Sequence, residues 1–161
     1  MTRHRCGIGW DVHRLAPGRA LMLGGVRIES EFGLEGHSDA DILAHAITDA
    51  VLGAAALGDI GMHFPDSDPR WKGADSLVFL RHALALARER GYVVANVDAN
   101  VILERPKLKD YRDAIRRKLS EVMDLPLDCV SVKFKTAERL GPVGEGRSAE
   151  AQAVVTLVAA S

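Results

Sequence analysis

Tyr92-Val-Val-Ala-Asn-Val-Asp-Ala-Asn-Val-Ile-Leu103 is the stretch on which the fold turns. Its β-branched residues and alternating character are the pattern of a strand over 92–103. Before it, residues 74–90 read as a helix that ends at Gly91. After it, Leu108 to Met123 reads as a helix and Cys129 to Lys135 as an alternating strand. The glycine-rich turn Gly141-Pro-Val-Gly-Glu-Gly146 then leads into a last strand over about 150–158. Helix, strand, helix, strand, strand predicts an α+β layered domain. The expected form is a mixed sheet with helices on one face, in a ferredoxin-like arrangement.

The first half is consistent with this. Segments near 4–12 and 20–28 read as strands separated by a turn at Pro17-Gly18, with a tight turn at Leu23-Gly-Gly-Val26. A loop ends at Gly36-His37-Ser38, and a helix is predicted from about 39 to 57. Ser38 suits its N-cap, Asp41 stands in a variant capping box, and Gly58 stops it. Residues 59–73 read as a polar loop. No repeat or linker interrupts the chain, so 1–161 is expected to be a single domain.

Composition bounds the function. Hydrophobic residues make up 47% and charged residues 27%, enough apolar material for one core of a soluble protein. The net charge of −1 argues against nucleic acid as a partner, and Arg112, Arg116, Arg117 and Lys118 read as a solvated helix face. No apolar run reaches the roughly 18 residues of a membrane span. The start, Met1-Thr-Arg-His-Arg-Cys6, lacks the apolar core of a secretion signal. Cys6 and Cys129 read as buried free thiols, and a reducing cytoplasm fits.

Chemistry-bearing residues begin with Trp10-Asp11-Val12-His13. Side chains two apart on a strand share a face, so Asp11 and His13 can reach one metal; the bland alternative is an exposed pair at a strand end. His45, on an otherwise apolar helix, needs a polar partner. It is either a satisfied core histidine or a third ligand, with Asp49 a candidate to accept its second N–H. Three N/O ligands leave one zinc position open, the pattern of a catalytic site. His37 and Ser38 sit at a helix start where backbone N–H groups attract anions, though capping also explains Ser38. Asp59, Asp66 and Asp68 suit either a ribose diol, a metal or plain turn chemistry. Lys135 and Thr136 suit phosphate oxygens and Glu138 suits Mg²⁺, with a solvated strand end as the alternative.

The ordered motifs Gly9-Trp-Asp-Val-His13, Leu23-Gly-Gly-Val26, His37-Ser-Asp-Ala-Asp41, His45-Ala-Ile-Thr-Asp49, Leu57-Gly-Asp-Ile-Gly61, Phe64-Pro-Asp-Ser-Asp68, Lys72-Gly-Ala-Asp-Ser76, Asn96-Val-Asp98, Pro106-Lys107 and Thr136-Ala-Glu-Arg-Leu-Gly141 closely resemble the 2-C-methyl-D-erythritol 2,4-cyclodiphosphate synthase family of the non-mevalonate isoprenoid pathway. The resemblance covers nearly the whole chain. It implies that 4-diphosphocytidyl-2-C-methyl-D-erythritol 2-phosphate is cyclised with release of CMP. It implies one Zn²⁺ per subunit on Asp11, His13 and His45, and Mg²⁺ or Mn²⁺ near Glu138 on the diphosphate. His37 and Thr136 match the transition-state positions. Asp59 with Ile60 and Gly61 would meet the ribose, and Phe64, Pro65, Asp66, Ser67 and Asp68 the erythritol. Leu103, Glu104, Arg105, Pro106, Lys107, Leu108 and Lys109 would form the cytosine pocket, with Ala137 also at the substrate. A cytoplasmic homotrimer is implied, with sites between subunits. Two departures stand out. Lys135 occupies a position that is usually small or Thr, and Pro142-Val-Gly-Glu145 with Arg147 stands where some members bind an isoprenoid diphosphate. The residues alone leave two rivals: a zinc phosphodiesterase or phosphatase using metal-bound water, and a non-catalytic module held together by zinc.

Overall fold

The structure is a computed structural model that describes residues 4–160; the reading of the amino terminus as free of a secretion signal lies partly outside them. Its main sheet has five strands in the order β4-β1-β7-β5-β6. These are β1 (His4–Pro17), β4 (Phe32–Leu34), β5 (Tyr92–Ile102), β6 (Val130–Lys135) and β7 (Ser148–Ala159). Only β5 and β6 run parallel; every other pair is antiparallel, so the sheet is mixed as expected. β2 (Leu21–Leu23) and β3 (Val26–Ile28) form a separate hairpin turned at Gly24-Gly25, both at positive φ. The helices α1 (Ile42–Ala54), α3 (Leu77–Glu89) and α4 (Arg112–Met123) pack on one face of the sheet. Short helices α2 (Ile60–His63) and α5 (Gly141–Gly144) lie within the two segments read as loops.

Strand β1 inverts the usual reading of an alternating strand. Gly7, Gly9, Asp11 and His13 face the helices, while Cys6, Ile8, Trp10 and Val12 face outward. Ile8 is 77% exposed and Trp10 54% exposed, because α1 packs on the glycine side. A Cβ on Gly7 would lie 1.9 Å from the Ala50 carbonyl oxygen, and one on Gly9 1.8 Å from that of Ala46. The helix therefore rests directly on the strand backbone. Alanines complete the fit: Ala46, Ala50, Ala151 and Ala153 are all buried where α1 crosses β1 and β7.

This placement corrects the expectation of buried thiols. Cys6 is exposed on the outward row of β1, and Cys129 is half-buried at a strand start. The element limits also move. The last strand begins at Ser148 and β1 continues to Pro17, because β4 pairs with Leu15–Pro17. Helix α1 starts at Ile42, not 39, since Ala40 takes a positive φ and Asp41 itself is the N-cap, accepting from the Ala44 N–H. It ends at Ala54, short of Gly58. Ala56 adopts the left-handed conformation, and the Leu57 and Ala56 N–H groups bond back to Leu52 and Gly53, a Schellman closure made without glycine. Residues 74–76 stay outside α3, and residues 109–111 form a 3-10 turn ahead of α4. Of the basic residues read as a solvated face, Arg116 instead bonds the Val130 and Leu127 carbonyls, and the Arg112 guanidinium stacks 5.1 Å over the Phe134 ring.

Candidate metal centre and substrate site

Asp11 and His13 project from β1 toward α1, and His45 projects from α1 toward β1. The close approach at Gly9, two residues from Asp11, brings the three together. His45 Nδ1 lies 2.9 Å and His13 Nδ1 3.3 Å from Asp11 Oδ2. One ligand atom from each residue falls within 4.8 Å of the others, the one such group of three among the described residues. Burial pushes the Asp11 carboxyl up, but the hydrogen bonds and charges of both histidines outweigh it and hold it below the ordinary value. The Asp11 carboxylate, against the cost of burial, holds His13 above the ordinary imidazole value.

The donor set fits a divalent metal. His13 Nδ1 is buried and makes no well-formed hydrogen bond. A tetrahedral zinc with bonds of about 2.0–2.1 Å sets its ligand atoms roughly 3.3 Å apart, close to the 2.9 and 3.3 Å between Asp11 Oδ2 and the two histidines. The far side of the His45 ring is also engaged: Nε2 is 2.8 Å from Ser76 Oγ and 3.2 Å from Ser38 Oγ. Ser76 Oγ in turn donates to Asp39 Oδ1, and Asp39 Oδ2 accepts the Ser76 N–H at 3.2 Å. Ser38 and Ser76 are buried.

Asp49 is not the partner expected for His45. Its Oδ1 accepts the Ile60 N–H at 2.7 Å, which ties α1 to α2. Ser76, 31 residues from His45 in sequence, meets the far ring nitrogen instead. Sequence reasoning missed Ser76 and Asp39 in this role because no helical or strand spacing links 45 with 76. Their only signal was membership of the quoted motifs.

The loop after α1 packs back against the His37 turn, where the Gly73 N–H bonds the His37 carbonyl at 2.8 Å. His37 Nε2 donates to the Asp68 carbonyl at 3.0 Å. Asp59 caps α2, accepting the Met62 N–H, and Asp68 caps the 3-10 turn Pro69–Trp71 and pairs with Arg70, which holds its carboxyl below the usual range. Asp59 and Asp68 thus make the turn contacts that their residue types favour. Phe64 packs on Phe79, with ring centroids 4.4 Å apart, and Phe79 lies 6.0 Å from the His45 ring.

A second group sits at the far end of β5 and β6. Leu103, Pro106, Lys107, Leu108, Lys109, Arg112, Phe134, Lys135 and Thr136 line a cavity of about 280 Å³. Arg105 lies outside it, with Pro106 across a cis peptide. Glu104 accepts the Ala137 N–H at 3.1 Å, and Thr136 Oγ1 donates to the exposed Glu138 at 3.2 Å. Phe134, which the linear reading did not single out, and Arg112, which it placed on a solvated helix face, are cavity walls. Along the sheet, Val12 pairs with Glu150, Glu150 with Ile102, and Ile102 with Lys135. Three strand spacings, roughly 14 Å, therefore separate the His13 end of β1 from the Lys135 end of β6.

Fold and site together define a small α+β enzyme with a centre built to hold a divalent metal and, three strands away across the sheet, a basic cavity. The chain belongs to the YgbB family, whose family model matches residues 4–158. It is 72% identical over 157 residues to the 2-C-methyl-D-erythritol 2,4-cyclodiphosphate synthase of Solibacter usitatus, covering 98% of this chain and 99% of that one. Among solved structures, the bifunctional IspDF from Campylobacter jejuni superposes with a TM-score of 0.93 at 40% identity, over 97% of this chain and 42% of that one. A CDP-bound form of 2C-methyl-D-erythritol-2,4-cyclodiphosphate synthase superposes with a TM-score of 0.88 at 46% identity, over 95% of this chain and 99% of that one.

Proposed function

We propose that this protein converts 4-diphosphocytidyl-2-C-methyl-D-erythritol 2-phosphate to 2-C-methyl-D-erythritol 2,4-cyclodiphosphate and CMP, as a cytoplasmic enzyme of the non-mevalonate isoprenoid pathway. The observation that carries this reading is the convergence of Asp11, His13 and His45 in a chain so similar to that synthase along its length. In the reaction the 2-phosphate oxygen attacks the β-phosphorus and the bond to the CMP oxygen breaks. The nucleophile and leaving group both belong to the substrate, so the protein's task is to position them and neutralise charge.

Asp11, His13 and His45 would hold Zn²⁺, and Glu138 would hold Mg²⁺ or Mn²⁺ with the diphosphate. These ions supply Lewis-acid polarisation and charge neutralisation at phosphate oxygens. His37 and Thr136 donate to phosphate oxygens as negative charge builds, with Ser38, Lys135 and the Ala137 backbone beside them. Asp59, Ile60 and Gly61 take the ribose, and residues 64–68 enclose the erythritol. The 103–109 segment takes the cytosine in the basic cavity, whose lining of Lys107, Lys109 and Arg112 suits a charged nucleotide. The chain is read as a homotrimer. The outward row of Ile8, Trp10, Val12 and Val154 supports burial against other copies, and the roughly 14 Å between the two halves in one chain supports sites completed between subunits. Incubation with the substrate, Zn²⁺ and Mg²⁺, followed by phosphorus NMR, tests the reading. A cyclic diphosphate with one equivalent of CMP is expected; a linear hydrolysis product would overturn it in favour of a phosphodiesterase.

A further inference from the structure

The hydrogen-bond chain behind His45 has a direction. As a carboxylate, Asp39 only accepts hydrogen bonds. Its Oδ1 takes the Ser76 hydroxyl hydrogen and the Asp41 N–H, and its Oδ2 takes the Ser76 N–H. The Ser76 hydroxyl has one hydrogen, already committed to Asp39. Its oxygen must therefore accept from His45 Nε2, 2.8 Å away. Ser38 Oγ, which accepts the Ala40 N–H, lies 3.2 Å from Ser76 Oγ and can donate to it. His45 then carries its hydrogen on Nε2 and leaves Nδ1 with a bare lone pair. That lone pair faces Asp11 Oδ2 at 2.9 Å, and His13 Nδ1 lies 3.3 Å from the same oxygen. Two acceptor atoms 2.9 Å apart with no hydrogen between them call for a cation.

We propose that Ser76 and Asp39 are positioning residues: the chain Asp39–Ser76–His45 holds the imidazole in the Nε2–H form and aims Nδ1 at the metal. Partners of this kind behind a metal-bound histidine set its orientation and basicity. Two features suit the role. Ser76 is fully buried, so water does not compete for the His45 N–H, and Asp39 sits next to Ser38 in the turn that leads into α1, so the same turn anchors both hydroxyls. The proposal rests on the reading of Asp11, His13 and His45 as metal ligands.

The test is zinc affinity, measured by competition of metal-free protein against a chromogenic chelator. Ser76→Ala is expected to bind zinc about 10- to 100-fold more weakly than the native chain, and Ser76→Thr, which keeps the hydroxyl, to recover most of that loss. Long-range proton–nitrogen NMR of the native zinc-loaded protein is expected to show His45 protonated at Nε2, a readout that needs no variant to fold. Ser76→Ala binding zinc within about twofold of native, an equal loss in Ser76→Thr, or a His45 protonated at Nδ1 would each overturn the proposal. If the native chain itself binds no zinc, the ligand assignment fails. If it binds zinc tightly and Ser76→Ala does too, only the positioning role fails.

Discussion

Gly9→Ala places a methyl group where the structure has no room. The new Cβ would lie 1.8 Å from Ala46 O, 2.8 Å from Ala46 C and 2.9 Å from Ala50 N, all helix backbone that no rotamer change can move aside. Restoring an ordinary contact of 3.4 Å requires α1 and β1 to separate by about 1.6 Å. Overpacking of this kind costs about 1–3 kcal/mol, or a melting temperature lowered by roughly 2–4 °C per kcal/mol at this chain length. The larger effect falls on the site. His45 adjoins Ala46, and Asp11 is two residues from Gly9. The same displacement carries His45 Nδ1 from 2.9 Å to beyond 4 Å from Asp11 Oδ2, about a third farther than two ligands of one zinc should stand. The assay is zinc content per chain after dialysis against a metal buffer, with thermal melting alongside. Gly53→Ala is the matched control. It lies on the same helix, its Cβ would come no nearer than 3.9 Å to Ile8 O, and alanine in place of a helical glycine should stabilise by about 0.5–1 kcal/mol. A Gly9→Ala protein that melts like the native chain and retains a full equivalent of zinc would refute the claim that the glycine-lined contact assembles the centre.

Further outcomes follow from single contacts. His45→Ala should lose zinc and turnover while keeping its far-ultraviolet circular dichroism; full activity would remove it from the site. Asp41→Ala leaves the Gly24, Gly25 and Ala44 N–H groups without their acceptor and should cost about 3 kcal/mol by urea unfolding, even though burial pushes the Asp41 carboxyl up; a loss under about 1 kcal/mol would contradict the tie between hairpin and helix. Burial also holds the Asp49 carboxyl above its ordinary value of 3.8 despite the Ile60 N–H. A raised carboxyl stabilises the fold below the unfolded value and loses that contribution as pH climbs through the folded one. The stability of metal-free Asp49→Asn relative to native should therefore rise from pH 4 to pH 7, and a flat or falling difference would reverse the sign. Trp10→Glu on the outward row of β1 should lower the mass seen by sedimentation from that of the proposed trimer to that of one chain; an unchanged mass would move the subunit contact elsewhere.

Much of this was legible in the sequence because it rests on short-range periodicity. Strand β5 and helix α4 followed from alternation and helical spacing. That Asp11 and His13 share a face followed from the two-residue period of a strand. Element ends were less legible. Ala56 closes α1 in a conformation that sequence assigns to Gly58, and Asp41 caps the helix from a position expected inside it. The second depends on where the neighbouring hairpin lies, since Asp41 also binds the Gly24 and Gly25 N–H groups.

What the sequence determined by itself was the set of ligand types and the layered α+β class, since these depend on residue chemistry and local period. Only the tertiary structure decided which side of β1 is inside. Apolar content alone points to Cys6, Ile8, Trp10 and Val12, yet the helix packs on Gly7 and Gly9, because a strand without side chains lets α1 approach its backbone. That approach carries His45 to Asp11 and hands its far nitrogen to Ser76, 31 residues away in the chain. Contacts across that separation leave no periodic trace, so they become visible only once the helix and strand are in place.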